Sequence, residues 1–413
     1  MKLKRLPEDF QVEELTQFET SGGPFALYRL TKRSMGTPEV VQEILQRWKL
    51  PRDRVSYGGL KDKHALTTQF LTVFQGPRRD LREQAFELVY MGQGSRPFTP
   101  QDIAGNRFLV TLRSLQTQAV EPIVEAIRQV KLYGIPNYFD DQRFGSVGFS
   151  GEFVAQPWCL GDYERTLWLA LADPNAHDRP DERAEKQILR DNWGNWNACK
   201  QKLSQSNRRS IITFLDDRPG DYRGAVSKLR IDLRGIYLAA FQSALWNRIL
   251  SVWLQSACRP EQLVSVPLKL GAVPFFLKLD PDQQAQLHAT ELPLPSARLK
   301  PEPGPIATLM EDVLREFGME LRQVRVKYPR DSFFSKGSRR AVILVDKVDH
   351  IVAPDELQEG RQKVRLSFDL PRGSYATIFV KRLTELNSAH APQQFSEPFE
   401  ADLNELDDIG DEG

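Results

Sequence analysis

The sequence predicts an α+β protein of more than one domain, and three observations carry that reading. Segments of apolar–polar alternation (8–15, 25–32, 69–75, 105–113, 364–370) lie towards both ends of the chain and are separated by segments of helical spacing. The middle, residues 155–305, differs in character: it holds six of the seven tryptophans, long charged helical stretches and three Pro-rich loops. At 413 residues the chain also exceeds one typical core. The expected arrangement is a mixed, largely antiparallel sheet with flanking helices and a central cleft, formed by 1–154 together with 306–390. An α/β domain over 155–305 is inserted into it, and an acidic tail, expected to be disordered, covers 391–413.

In the first strand, Glu8 to Leu15, Phe10 and Val12 share one face. Residues 25–32 give a second strand. Thr37 is then expected to cap a helix with Pro38 in its first turn, Glu39 favouring its N-terminus, and Val40, Val41, Ile44, Leu45 and Trp48 on one face; Pro51 stops it. After a strand at 69–75 and a Gly- and Pro-rich loop, Phe108, Val110 and Leu112 line one face of another strand, with Asn106 on the same parity. Pro122 begins a helix carrying Ile123, Val124, Ile127 and Val130 that ends near Gly134. Polar residues 173–187 read as a flexible connection, and Arg234 to Gln255 as a long helix. Ala341 to Val345 and residues 364–370 read as strands, and Pro371-Arg372-Gly373 turns the chain into a further strand at 374–383.

The stretch with chemistry in it is Ser56-Tyr57-Gly58-Gly59-Leu60-Lys61-Asp62-Lys63-His64-Ala65-Leu66-Thr67-Thr68-Gln69. Two glycines permit a tight backbone, and the chain turns apolar after it, so a single carboxylate sits on a loop held by a strand. Lys61 and Lys63 flank Asp62 and favour its ionised form, which can act as nucleophile or base. By spacing alone the same residues also make an ordinary solvated hairpin turn.

The run GGLKDKHALTTQ closely resembles the signature of the TruD family of RNA pseudouridine synthases, the tRNA pseudouridine-13 synthases. The resemblance implies that Asp62 is the catalytic residue. It extends to the opening E-D-F-x-V-x-E strand (Glu8 to Glu14) and to Lys4, which stands at the family's functional lysine. That lysine would pair with the catalytic carboxylate or hold an RNA phosphate; a solvated terminal lysine is the alternative. Gly105-Asn106-Arg107-Phe108 resembles the family's G-N-x-F motif, which places Asn106 and Phe108 along the active site with the aromatic against the target nucleotide. A plain core role is the alternative for Phe108, whereas a buried amide at Asn106 needs partners. Gly134 to Gly145 resembles the G-x-P-N-Y-F-G-x-Q-R-F-G loop, except that Asp140 replaces a glycine. This adds Arg143 to the substrate-binding candidates, beside Lys4, Lys61, Asn106 and Phe108. Phe241 to Asn247 and Leu370 to Thr377 match two further family motifs, and the likeness is thin over 155–305.

Composition restricts the alternatives. The longest apolar runs are far shorter than a membrane span, and the N-terminus lacks a signal-peptide core, so a soluble cytoplasmic protein is expected. Cys159, Cys199 and Cys258 form neither a disulfide framework nor a CxxC site, and the five histidines make no close metal-binding pair. The net charge of +1 hides a contrast: 397–413 carry eight acidic residues and no basic one, leaving +9 on residues 1–396. Arg190, Lys200, Lys202, Arg208, Arg209 and Arg223 add candidate RNA contacts within the insert. A basic body suits a polyanion, here an RNA.

The resemblance implies a tRNA substrate, base flipping and an isomerisation that adds no atoms and needs no cofactor or metal. A monomer is expected. Two readings compete: an idle RNA-binding or RNA-folding chaperone on the same scaffold, and a carboxylate hydrolase, which would require a second acidic residue beside Asp62.

Overall fold

The computed structural model describes residues 5–385. Lys4 and the acidic tail lie outside them. Contacts divide the chain into two units: among the described residues, one comprises 5–135 and 343–385, the other 136–342. The divisions fall at 135/136 and 342/343 instead of 154/155 and 305/306, so 136–154 and 306–342 cluster with the middle of the chain.

The first unit is built on a nine-stranded sheet. Its strands are β1 (Phe10–Thr16), β2 (Phe25–Arg33), β3 (Val55–Tyr57), β4 (Leu66–Phe74), β5 (Leu81–Arg82), β6 (Phe86–Gly94), β7 (Ile103–Leu115), β8 (Asp346–Pro354) and β9 (Gln362–Pro371). The order is β8-β9-β7-β1-β4-β2-β6-β5, with β3 on β4. Only β1 and β4 run parallel (Val12 opposite Thr67); every other pairing with a resolved register is antiparallel. The two strands drawn from opposite ends of the chain, β7 and β9, lie side by side with Phe108 opposite Phe368.

Among the described residues three α-helices belong to this unit: α1 (Thr37–Trp48), α2 (Val120–Tyr133) and α3 (Ala376–Thr384). Val40, Val41 and Ile44 of α1 join Tyr28, Leu30, Leu71, Val73 and Leu88 of the sheet in one apolar cluster. Each such side chain, once buried, contributes about 1.5–3 kcal/mol. Gly36, not Thr37, is the N-cap of α1; Glu39 accepts from the Gly36 amide at 3.2 Å, and Lys49 in a left-handed conformation ends the helix. Thr37 is thereby released for the task described below. At α3 the structure departs from the expected strand. Thr377, Ile378, Phe379 and Val380 favour strand by propensity, yet Ala376, Phe379, Val380 and Leu383 repeat at helical spacing and are buried. Phe379 packs on Phe368 of β9 with ring centroids 4.2 Å apart, which fixes the helical answer.

The second unit is mainly helical. Its long helix spans Ile231–Ala257 and includes the expected Arg234 to Gln255. Residues 173–187, expected to be a connection, run into a helix at Pro180–Asn192, where Lys186 is buried beside Asp178 at 2.5 Å. The polar pattern there reflects internal ion pairs. Ala341 to Val345 contracts to a two-residue strand, Val342–Ile343.

Candidate active site

The loop between β3 and β4 carries Asp62, which is partly exposed. Hydrogen bonds hold its backbone at successive positions. The Gly59 carbonyl accepts from Gln69 Nε2 at 3.2 Å, and the Lys61 amide donates to Thr37 Oγ1 at 3.1 Å; Thr37 in turn donates to Gln69 Oε1 at 2.8 Å. Lys32, on β2 and 1 % exposed, donates through its ammonium to the carbonyls of Lys61 at 3.1 Å and Asp62 at 2.8 Å, and also to the carbonyl of Met35. The Asp62 carboxylate accepts from the His64 amide at 2.9 Å. The loop passes close to β7 at Gly58, where a Cβ would lie 2.4 Å from Ile103 Cδ1.

The two flanking lysines do not spend their charge as the sequence suggested. Lys63 pairs with Glu39 at 2.8 Å. Lys61 turns inward, its ammonium 2.9 Å from Glu14 Oε1 and 2.8 Å from Asn106 Oδ1. Glu14 and Asn106 are cross-strand neighbours on β1 and β7, so one lysine ties the loop to both strands. Burial pushes the Glu14 carboxyl above its ordinary range; Lys61 and the Phe70 amide, which donates to Glu14 Oε2 at 2.8 Å, oppose the shift. Asn106 thus has the partner its placement demands.

Phe108 follows Asn106 by two residues on the same strand face. It is 7 % exposed, stacked on Phe368 at 5.3 Å with an interplanar angle of 19°, and edge-on to Phe10 at 6.1 Å. Gly105 precedes them because a Cβ there would meet the Leu370 carbonyl oxygen of β9 at 2.5 Å.

Arg143 belongs to the second unit, exposed, with its guanidinium 5.3 Å from the Phe139 ring. Around it the Pro-Asn-Tyr-Phe corner is an internal brace. The Phe139 backbone exchanges two 2.8 Å hydrogen bonds with Asn247, and buried Tyr138 donates to the Pro274 carbonyl at 3.0 Å. Asp140, the departure from the resembled loop pattern, adopts an extended backbone with φ −84°, so no left-handed conformation is needed. Among the insert's candidate cations, Arg208 pairs with Glu182 and Glu185, and Lys200 with Asp216. The cysteines are buried; burial pushes Cys159 up to about 12 and Cys258 up to about 11, far from thiolate chemistry at neutral pH.

Sequence reasoning passed over Glu14, Lys32, Thr37 and Gln69 as parts of this site. The signal for two of them was parity: Glu14 shares the inward face of Phe10 and Val12, and Lys32 that of Tyr28 and Leu30. A charge on an inward face calls for a partner.

With this geometry in place, comparison with known proteins is decisive. The profile of tRNA pseudouridine synthase D (TruD) matches residues 1–265 and 280–383. The chain belongs to the TruD family. A Methanocaldococcus jannaschii protein named "Probable tRNA pseudouridine synthase D 2" is 31 % identical over 393 residues, covering 92 % of this chain and 91 % of its own. The tRNA pseudouridine synthase D of Aquifex aeolicus is 26 % identical over 391 residues, covering 93 % and 98 %. The crystal structure of a Methanosarcina mazei chain named for TruD superposes with a TM-score of 0.73 at 24 % identity, covering 94 % of both chains, which shows that the fold is shared.

Proposed function

We propose that this TruD family member isomerises uridine 13 in the D-arm of tRNA to pseudouridine, with Asp62 as its catalytic carboxylate. The observation that carries the proposal is the Asp62 loop: a family signature whose backbone is fixed by Thr37, Gln69 and buried Lys32, while Asp62 itself stays partly exposed. The reaction breaks the bond between ribose C1′ and uracil N1 and forms one between C1′ and C5. N1 gains a proton, C5 loses one to solvent, and no atom is added, so a positioned carboxylate and a pocket for the base suffice. The target base must leave its stack, at a cost of a few kcal/mol that contacts inside the pocket offset.

Asn106 and Phe108 are proposed to line that pocket, with Phe108 contributing the aromatic wall. Lys61, a substrate-binding candidate by its sequence, has its ammonium against Glu14 and Asn106, and its proposed part is to set the loop against the sheet. Arg143 and Lys4 remain proposed RNA contacts. Two other carboxylates belong to the described network, and both are engaged: Glu14 has a fully buried side chain paired with Lys61, and Glu39 is paired with Lys63 and accepts from the Gly36 amide, which disfavours the hydrolase reading.

Tritium release from tRNA labelled at uracil C5 tests the activity, because the C5 proton leaves only if the new glycosidic bond forms there. The purified protein should release about one tritium per tRNA. Binding without release would establish the idle RNA-binding reading instead.

A further inference from the structure

The second unit holds a basic loop that the reaction chemistry leaves unused. Between residues 322 and 340 the sequence places seven basic residues (Arg322, Arg325, Lys327, Arg330, Lys336, Arg339, Arg340) against one acidic residue, Asp331. Residues 324–337 form neither helix nor strand. Arg325, Lys327, Arg330 and Lys336 are exposed, and none has a carboxylate partner among the described residues. Arg322 is paired with Glu320, so the uncompensated charge is concentrated between 325 and 336.

In its centre is Phe333, 66 % exposed. An aromatic ring left in water is usually on a loose segment, but here both flanks are fastened. Arg234, buried in the long helix, binds Asp331 through two hydrogen bonds of 2.7 and 3.0 Å and Ser332 Oγ at 2.8 Å. On the other side Phe334 is 5 % exposed, and the Ser335 carbonyl accepts from Gln242 at 2.9 Å. Further back, Trp158 donates to the Tyr328 carbonyl at 2.8 Å, and the Arg223 guanidinium lies 4.6 Å from the Tyr328 ring centroid. The loop therefore holds the Phe333 ring outward at little further ordering cost. Arg330 and Lys336 lie three residues to either side, so their Cα atoms are within about 11 Å of that of Phe333.

We propose that Phe333 is a stacking platform for an unpaired base of the RNA substrate, with Arg330 and Lys336 contacting the flanking phosphates. A fixed π-face among uncompensated cations suits single-stranded nucleic acid, where the base stacks and the backbone is neutralised. The proposal rests on the reading of this protein as a tRNA-modifying enzyme, and it adds a binding position on the second unit.

The test is tRNA affinity across a salt series for the full-length protein and its Phe333→Ala, Phe333→Trp and Arg330→Ala variants, beside single-turnover isomerisation at saturating tRNA. Phe333→Ala should weaken binding about 5- to 100-fold with an unchanged salt slope, and Phe333→Trp should restore it. Arg330→Ala should lower the slope of log affinity against log salt by about one. Melting temperature and the saturated rate should stay at wild type in all three, because the side chains are exposed. Wild-type affinity in Phe333→Ala, or failure of Trp to restore, overturns the proposal; the former result would leave the ring as a candidate protein contact. A wild-type protein that binds tRNA and shows the Phe333 effect without isomerising it would refute the assigned reaction and leave the platform standing.

Discussion

Phe108 shows how one side chain serves both fold and site. Its ring lies between Phe10 and Phe368 and is 7 % exposed, so its removal opens a cavity in the sheet's core face. Phe108→Ala should cost about 3–5 kcal/mol of stability. If the ring also lines the base pocket, the milder Phe108→Leu should lower isomerisation per folded molecule at least tenfold while costing under about 2 kcal/mol, read by urea melts run beside the rate assay. Equal losses in rate and folded fraction would leave Phe108 a core residue only. Asp62, Asn106 and Phe108 could be singled out as candidates because two motifs of fixed spacing carry them. The direction of the Lys61 side chain was not, since its partner Glu14 lies 47 positions away and meets it only through the parallel pairing of β1 and β4.

At the scale of elements, hydrogen bonds from its neighbours hold the backbone of the Asp62 loop. Lys32 is the strongest such contact, an ammonium directed at two carbonyls of the loop, Lys61 and Asp62, and at that of Met35 before α1. Lys32→Met would leave those carbonyls without it, at about 1–3 kcal/mol for each that finds no other partner. A loop displaced by about an ångström costs catalysis near 10²-fold. The expected result is therefore a drop in kcat of that order with KM within threefold, measured where the variant is fully folded; an unchanged kcat would make Lys32 a purely structural residue. A second junction ties strand ends together. Arg113 on β7 binds Asp9 and Asp355 at 2.8 Å each, and Glu356 at 3.1 Å. Burial works to raise Asp355, but the Ser114 and Leu357 amides and Arg113 hold it below its usual range; Lys363 and Arg113 bring Glu356 down to about 2. Lowered carboxylate values give stability that is present above the unfolded values near 4 and lost as pH falls towards 2. Arg113→Met should cost about 3–5 kcal/mol at pH 7, and the gap in melting temperature from wild type should close between pH 4.5 and 2. A gap that stays constant over that range would remove the carboxylates from the account. Local propensity misled the reading at 374–383, where packing of Phe379 on Phe368 decided for helix, and at 173–187, where polar residues are folded into ion pairs.

For the whole molecule, the alternating segments at both chain ends announced one sheet, and β7 beside β9 bears this out. The unit boundaries were less legible. Composition changes near 155 and 305, but contacts divide the chain at 135/136 and 342/343, because the Asn137–Phe139 corner bonds to Asn247, Pro274 and Arg340. Such long-range bonds leave no local mark in a sequence. Among the described residues no helix is long and apolar enough to cross a membrane. Site-resolved pseudouridine mapping of tRNA treated with wild-type and Asp62→Asn protein tests the proposed residue, reaction and RNA position at once. Asn preserves the size of the side chain and removes its charge and nucleophilicity. The account predicts pseudouridine at position 13 with the wild type, and none with Asp62→Asn, whose rate should fall by about 10⁴-fold or more while tRNA affinity stays within a few fold. Pseudouridine formed by Asp62→Asn at near wild-type rate, or formed by the wild type only at other positions, would contradict it.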